Sequence, residues 1–171
     1  LHRLIRRQRQ MCIRDRQFVM RAQELGIMLD MSHISERGFW DTLEISTRPV
    51  IAGHSNSKAV CNVPRNLSDE QFAALVRRGG GAGINLYPEF LGLGRDIDAV
   101  FAHIDHFMSL GGERSVFLGC DLDGIEETPR GISGVQDLGK IYETLLRHNY
   151  SEQLVCGIFR NNILKVMEKA L

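Results

Sequence analysis

From Phe18 onward the apolar positions alternate between two spacings, and the changes mark a repeated order of strands and helices. The stretch FVMRAQEL, residues 18–25, has helical spacing, and Gly26 stops it before the apolar run IMLDMSH, residues 27–33. Ser35 is placed to cap a second helix, ERGFWDTLEIS, and Pro49 opens a second strand, VIAGH, which closes on His54. Ser68 and Gln71 form a capping box ahead of DEQFAALVRR, and the glycine-rich run at 79–83 ends that helix and leads into the strand INLY. In DIDAVFAHIDHFMSL, residues 96–110, Ile97, Val100, Phe101, Ile104 and Phe107 share one helical face, with Gly111 and Gly112 as the stop. SVFLGCD is the fourth strand. Two helices close the chain, VQDLGKIYETLLRHN and, behind Ser151 as cap, EQLVCGIFRNNILKVMEKAL.

Strands that are apolar on both faces belong to a parallel sheet covered by helices, so the expected fold class is α/β. No G-x-G-x-x-G follows the first strand and no G-x-x-x-x-G-K-[ST] occurs, which leaves a nucleotide-binding doubly wound sheet without its chemistry. The remaining expectation is an incomplete TIM-type barrel: four strand–helix units of a (β/α)8 fold, whose complete form takes about 250 residues. Residues 18–171 form that one domain.

Residues 1–17, LHRLIRRQRQMCIRDRQ, are unlike the rest: arginine-rich, without periodicity, and without the ordered regions of a signal peptide. Met11 to Arg16 also resembles a translated sequencing-library adapter, so a non-native leader is expected there, with a natural basic arm as the alternative. The 21 basic and 21 acidic residues cancel, which argues against a nucleic-acid partner and favours a small-molecule substrate. Apolar runs fall well short of the roughly 20 residues that a membrane helix needs. Cys12, Cys61, Cys120 and Cys156 lack paired C-x-x-C spacing and are expected to be free thiols, which points weakly to a reducing, cytoplasmic setting.

Chemistry in such barrels sits at the C-terminal ends of the strands. In order, those ends carry His33, His54, Tyr87 and Asp121. A single histidine at a strand end is an ordinary structural residue. Two on consecutive strands, followed by an acid, are within reach of one ion, because parallel strands lie about 4.8 Å apart and zinc–nitrogen bonds are about 2.0–2.1 Å long. Asp121 is placed to take a proton and return it to a leaving amine. Asp123 and Gly124 are expected to shape the turn, and His103 and His106, on a helix away from the strand ends, to serve packing or surface roles.

The stretches LDMSHISERGFWDTLEIS, PVIAGHSNSKAVCNVPRNLSDEQ, GINLYPEFL, HIDHF, GCDLDGI and NNILKVME closely resemble the membrane dipeptidase family of zinc metallopeptidases, also called renal or microsomal dipeptidases. The resemblance implies the C-terminal half of an eight-unit barrel that holds two zinc ions and hydrolyses dipeptides through a metal-bridging hydroxide. It implies that His33 and His54 are a zinc-ligand pair, that Asp121 is the proton shuttle, and that Arg65, in VPRN, grips the substrate's terminal carboxylate. Tyr87 and Phe90 fall where the family lines its substrate pocket, and the complete protein could be a homodimer. The family's His-x-Asp pair on the first strand and its bridging glutamate have no match here, so the 171-residue chain alone is expected to be inactive. Two other functions stay open: a sibling metal-dependent amidohydrolase or lactonase, and a noncatalytic half-barrel module.

Overall fold

A computed structural model describes residues 15–171. The expected leader falls mostly on residues 1–14, outside the described residues, as does Cys12, whereas residues 15–17 open the first helix, α1 (15–24). Cys61, Cys120 and Cys156 are free thiols. Among the described residues no helix is long and apolar enough to cross a membrane.

The first expected strand is reduced to a single parallel bridge between Asp30 and Ile51, held by Met31 N–H to the Ile51 carbonyl at 2.8 Å and Ile51 N–H to the Leu29 carbonyl at 3.0 Å. The ladder stops because the Asp30 carboxylate competes with it. One oxygen, Oδ1, accepts from Ser32 N at 2.9 Å, Ser32 Oγ at 2.6 Å and Gly53 N at 2.9 Å. A short acidic side chain bonding its own backbone two residues on makes a turn where apolarity alone predicts a strand.

Three strands follow, β1 (Ile51–Ala52), β2 (Gly81–Asn85) and β3 (Val116–Cys120), all parallel and in sequence order. The helices between them are α2 (Glu36–Ile45) before β1, α3 (Asp69–Arg77) before β2, and α4 (Pro88–Leu91) and α5 (Ile97–Ser109) before β3. The predicted caps hold: Ser35 Oγ accepts from Gly38 N, and both halves of the Ser68–Gln71 capping box are formed. Phe39 and Leu43 of α2, Phe72 and Leu75 of α3, and Val100, Ile104 and Phe107 of α5 share one core with Val50, Ala52, Ala82, Ile84 and Val116. Burying each of the Val, Leu, Ile and Phe side chains contributes about 1.5–3 kcal/mol. Phe72 and Phe107 stack inside it with centroids 4.0 Å apart.

The C-terminal run is not one helix. Behind α6 (Gly139–Arg147), α7 (Glu152–Cys156) passes through a π turn, Gly157–Asn161, into α8 (Asn162–Ala170). Asn162 fixes the break by donating from Nδ2 to the carbonyls of Glu113 at 3.0 Å and Val116 at 2.8 Å, at the entry to β3. The wide turn lets Val155 and Ile158 serve the large core while Val166 reaches the other face of the sheet, against Ile51 and Phe117.

Candidate active site

Two short segments carry the histidines. His33 lies exposed just past the Asp30 turn, and His54 follows β1; their ring centroids are 4.9 Å apart at 63°. The Asp30 turn also fixes the second histidine, because Ser32 Oγ, which donates to Asp30, accepts from His54 N at 3.0 Å. Desolvation and then the nearby Arg65 charge lower the His33 pKa, which favours the neutral ring.

Asp121 arrives from β3 through an unusual backbone. Cys120 and Asp121 both adopt left-handed conformations, φ 47° and 64°. Each such non-glycine residue costs on the order of 1–3 kcal/mol, and this strain turns the carboxylate toward the histidines. Oδ2 of Asp121 lies 3.7 Å from His54 Nδ1 and accepts from Asn85 Nδ2 at 3.0 Å. Gly124 N–H closes the following turn on the Asp121 carbonyl at 3.0 Å, which is the expected role of that segment.

Arg65 joins the same cluster. Its Nη1 donates to the Ser32 carbonyl, and its Nη2 lies 3.1 Å from His54 Nδ1 and 3.4 Å from the His54 carbonyl. The guanidinium also sits 5.4 Å from the Phe90 ring centroid, and Phe90 packs edge-on against Tyr87 at 5.0 Å. Burial lowers the Arg65 pKa. Tyr87, expected at a strand end, lies two residues past the end of β2; the strand's last residue is Asn85, whose Nδ2 is also 3.5 Å from His54 Nδ1. A larger cleft of ≈ 710 Å³, lined by Glu89, Leu93, Arg95 and Arg130 among others, includes none of the six predicted site residues.

Buried polar side chains lock the two loops that carry this cluster. His103 is fully buried; its Nδ1 accepts from Ser57 N at 3.1 Å and its Nε2 donates to the Leu91 carbonyl at 3.2 Å. Asn66 adds a bond to the Phe90 carbonyl at 2.9 Å. The packing role expected for His103 is thus a loop-to-loop tie, while His106 pairs with Asp69 at the surface, at 2.8 Å. Burial drops the His103 pKa to about 4. An unfolded chain takes up that proton near pH 6.5, the folded one only near 4, so this group's contribution to stability is full above pH 6.5 and is lost as the pH falls toward 4. The loss for this group is about 3 kcal/mol. Urea unfolding at pH 7 and pH 4.5 should show it, and His103→Gln should flatten the difference; an unchanged difference in the variant would remove the assignment.

The donor set suits part of a metal site. His54 Nδ1 lies 3.1 Å from Arg65 Nη2 and 3.5 Å from Asn85 Nδ2, so a metal bound at this nitrogen would have to take the place of both contacts. Two imidazoles make up half of a four-coordinate zinc sphere. Among the described residues no three His, Cys, Asp or Glu side chains converge to complete one.

Asp30, Ser32 and Asn85 escaped the sequence reading. Their signal was present: an aspartate inside IMLDMSH and an asparagine inside GINLY, each a polar residue interrupting an apolar run beside a candidate ligand.

A model of the family described as "Membrane dipeptidase (Peptidase family M19)" matches residues 14–171. A Klebsiella pneumoniae protein described by its place in the pqqA 5' region is 35% identical over 156 residues, covering 88% of this chain and 57% of its own length. An uncharacterized dipeptidase of Schizosaccharomyces pombe is 33% identical, covering 88% of this chain and 38% of its own length. Among solved structures, a Rhodobacter sphaeroides metallopeptidase, liganded with a phosphinate mimic of the dipeptide L-Ala-D-Ala, is 33% identical with a TM-score of 0.86; the match covers 91% of this chain and 46% of that one. The α/β architecture with its small parallel sheet is therefore shared with that metallopeptidase, over about half of its length.

Proposed function

The chain belongs to the membrane dipeptidase family, peptidase family M19, and on that premise we propose that it supplies the C-terminal half of a zinc-dependent dipeptidase. The observation that carries this is the meeting of His33, His54, Asp121 and Arg65 at one end of a parallel sheet, from four separate segments of the chain. The helices that cross between strands all feed one core on one face of the sheet, as an arc of a (β/α)8 barrel requires. The remaining strands, in this proposal, come from the half that the matched relatives have beyond this match.

His33 and His54 would hold zinc, which supplies Lewis acidity toward the scissile carbonyl. The chain's own residues do the rest. Asp121, half-buried, hydrogen-bonded to Asn85 at 3.0 Å and 3.7 Å from His54, takes a proton from the attacking water and returns it to the departing amine. Arg65 holds the substrate's terminal carboxylate as a fork, with Phe90 and Tyr87 as the apolar wall beside it. Here that fork is engaged by the Ser32 carbonyl and His54, so a bound carboxylate replaces protein acceptors that are already in place.

The test is hydrolysis by the zinc-loaded, full-length protein of a dipeptide panel that includes L-Ala-D-Ala, with each dipeptide matched to its C-terminal amide. Cleavage of the free acids and poor cleavage of the amides is expected; a zinc-loaded, folded protein that cleaves no dipeptide ends the proposal. The 171-residue chain by itself should show no cleavage. Arg65→Lys keeps the charge but loses the fork, and should raise KM for free-acid dipeptides by about 10- to 100-fold while leaving the amides little changed. An equal effect on acids and amides would show that Arg65 does not read the carboxylate.

A further inference from the structure

We propose that Asn85 is a positioning residue that aims the Asp121 carboxylate, a role that rests on the dipeptidase reading of this site. Asn85 is fully buried at the C-terminal end of β2, where an amide needs a reason to be. Its backbone is pinned on both sides by one partner: Asn85 N–H donates to Asn56 Oδ1 at 2.9 Å, and its carbonyl accepts from Asn56 Nδ2 at 3.0 Å. Its side-chain oxygen accepts from Tyr87 N at 2.6 Å. That bond fixes the orientation of the amide, because the oxygen must face the Tyr87 N–H and the NH2 must then face the other way. The NH2 points into the site and donates to Asp121 Oδ2 at 3.0 Å.

The backbone is irregular at this same point on both strands. The β2–β3 register slips between Ile84 and Asn85, so that Asn85 pairs with Cys120 rather than Gly119. On β3 the two left-handed residues Cys120 and Asp121 follow. Regular strands would place these two side chains on the same side but two residues out of step, about 6.6 Å apart along the strand; the slip brings Asn85 level with Cys120, one residue nearer, and irregularities of this kind recur next to active sites. The opposite flank of the carboxylate is closed as well, since a Cβ at Gly124 would collide with Asp121 Oδ1. The carboxylate is wedged between the Asn85 amide and the Gly124 backbone, and only the first of these can donate a side-chain hydrogen bond to it. Removing that donor frees the group to rotate, and a displacement of about 1 Å at a reacting group can cost about a hundredfold in rate.

Asn85→Asp separates aiming from mere structure. It keeps an oxygen for the Tyr87 N–H and the same shape, but sets a second carboxyl about 3 Å from Asp121, where the two cannot both ionise and a shared proton replaces the amide donor. In the zinc-loaded, full-length protein, kcat for dipeptides should fall by about 10- to 100-fold, with KM and zinc content unchanged and the Tyr87 tie intact. Asn85→Ala should show the same fall in kcat and a lower melting temperature, because the Tyr87 tie is lost too. Wild-type kcat in Asn85→Asp would overturn the proposal and leave Asn85 as a structural tie. A fall in kcat matched by loss of zinc would overturn it in favour of metal retention. Should the wild-type protein cleave no dipeptide, the dipeptidase reading fails by itself, and a crystal structure of Asn85→Asp decides the aiming role: a rotated Asp121 carboxylate supports it, an unmoved one overturns it.

Discussion

Asp121→Asn should leave the full-length protein with a hundredth to a ten-thousandth of its dipeptidase activity, the range on the order of which a positioned acid–base group contributes. The substitution keeps the size of the side chain and an oxygen that can still accept from Asn85 Nδ2, so the local packing and the left-handed backbone at Cys120 and Asp121 have no reason to change. What is lost is the ability to take a proton. His33 and His54 reach the site from other segments, and zinc content should therefore stay near that of the wild type. Asp123, two residues on, is exposed in the turn and provides the matched control, since Asp123→Asn removes the same charge at a position that faces solvent. The measurement is kcat/KM for a good dipeptide together with zinc per protein for both variants. Asp121→Asn activity near that of Asp123→Asn would take the proton step away from this residue.

The order of elements was legible because it rests on local signals. Ser35, Ser68 and Ser151 each cap the helix that the sequence assigns to them, and Gly26 and Gly79 stop helices with φ of 70° and 74°. The candidate ligands were legible for a related reason: a polar residue closing an apolar run lands at the mouth of a parallel sheet. Misreadings came where a side chain takes over a backbone bond from a distance. Asp30 replaces most of the first strand with a turn, and its partner Gly53 lies 23 residues on. Asn162 breaks the last helix through carbonyls 46 and 49 residues back. Asn85 belongs to the same class, as its importance depends on Asp121, 36 residues later. Periodicity reports which face of an element is apolar, and it carries no information about which distant carbonyl or carboxylate a buried amide will find.

Gly119→Ala should be among the most destabilising single-methyl additions in this chain, and it should damage the site as well as the fold. The carbonyl oxygen of Gly53, at the end of β1, is packed directly against the backbones of both Gly83 and Gly119, and a Cβ at either position would overlap it. A Cβ at Gly119 would also lie 3.1 Å from the His54 Cα. Retreat is blocked on the other side, where Gly53 N is held by Asp30 at 2.9 Å and Ser55 N donates to the Gly83 carbonyl at 2.7 Å. Overpacking of a rigid interior costs about 1–3 kcal/mol and can cost more where, as here, the obstacle is backbone rather than a movable side chain. Whatever relief the sheet finds must separate the end of β1 from the end of β3, and those ends carry His54 and Asp121, 3.7 Å apart. The folded fraction of Gly119→Ala should therefore bind zinc more weakly than the wild type. Gly139→Ala is the contrast, since a Cβ there meets nothing within 4 Å at the start of α6, and losing a helical glycine should leave stability the same or raise it by about 0.5–1 kcal/mol. Urea unfolding of both variants, with zinc affinity measured on the folded protein, checks the pair. If Gly119→Ala unfolds with the wild type, the contact between these strand ends is loose, and the close placement of His54 and Asp121 cannot come from backbone packing.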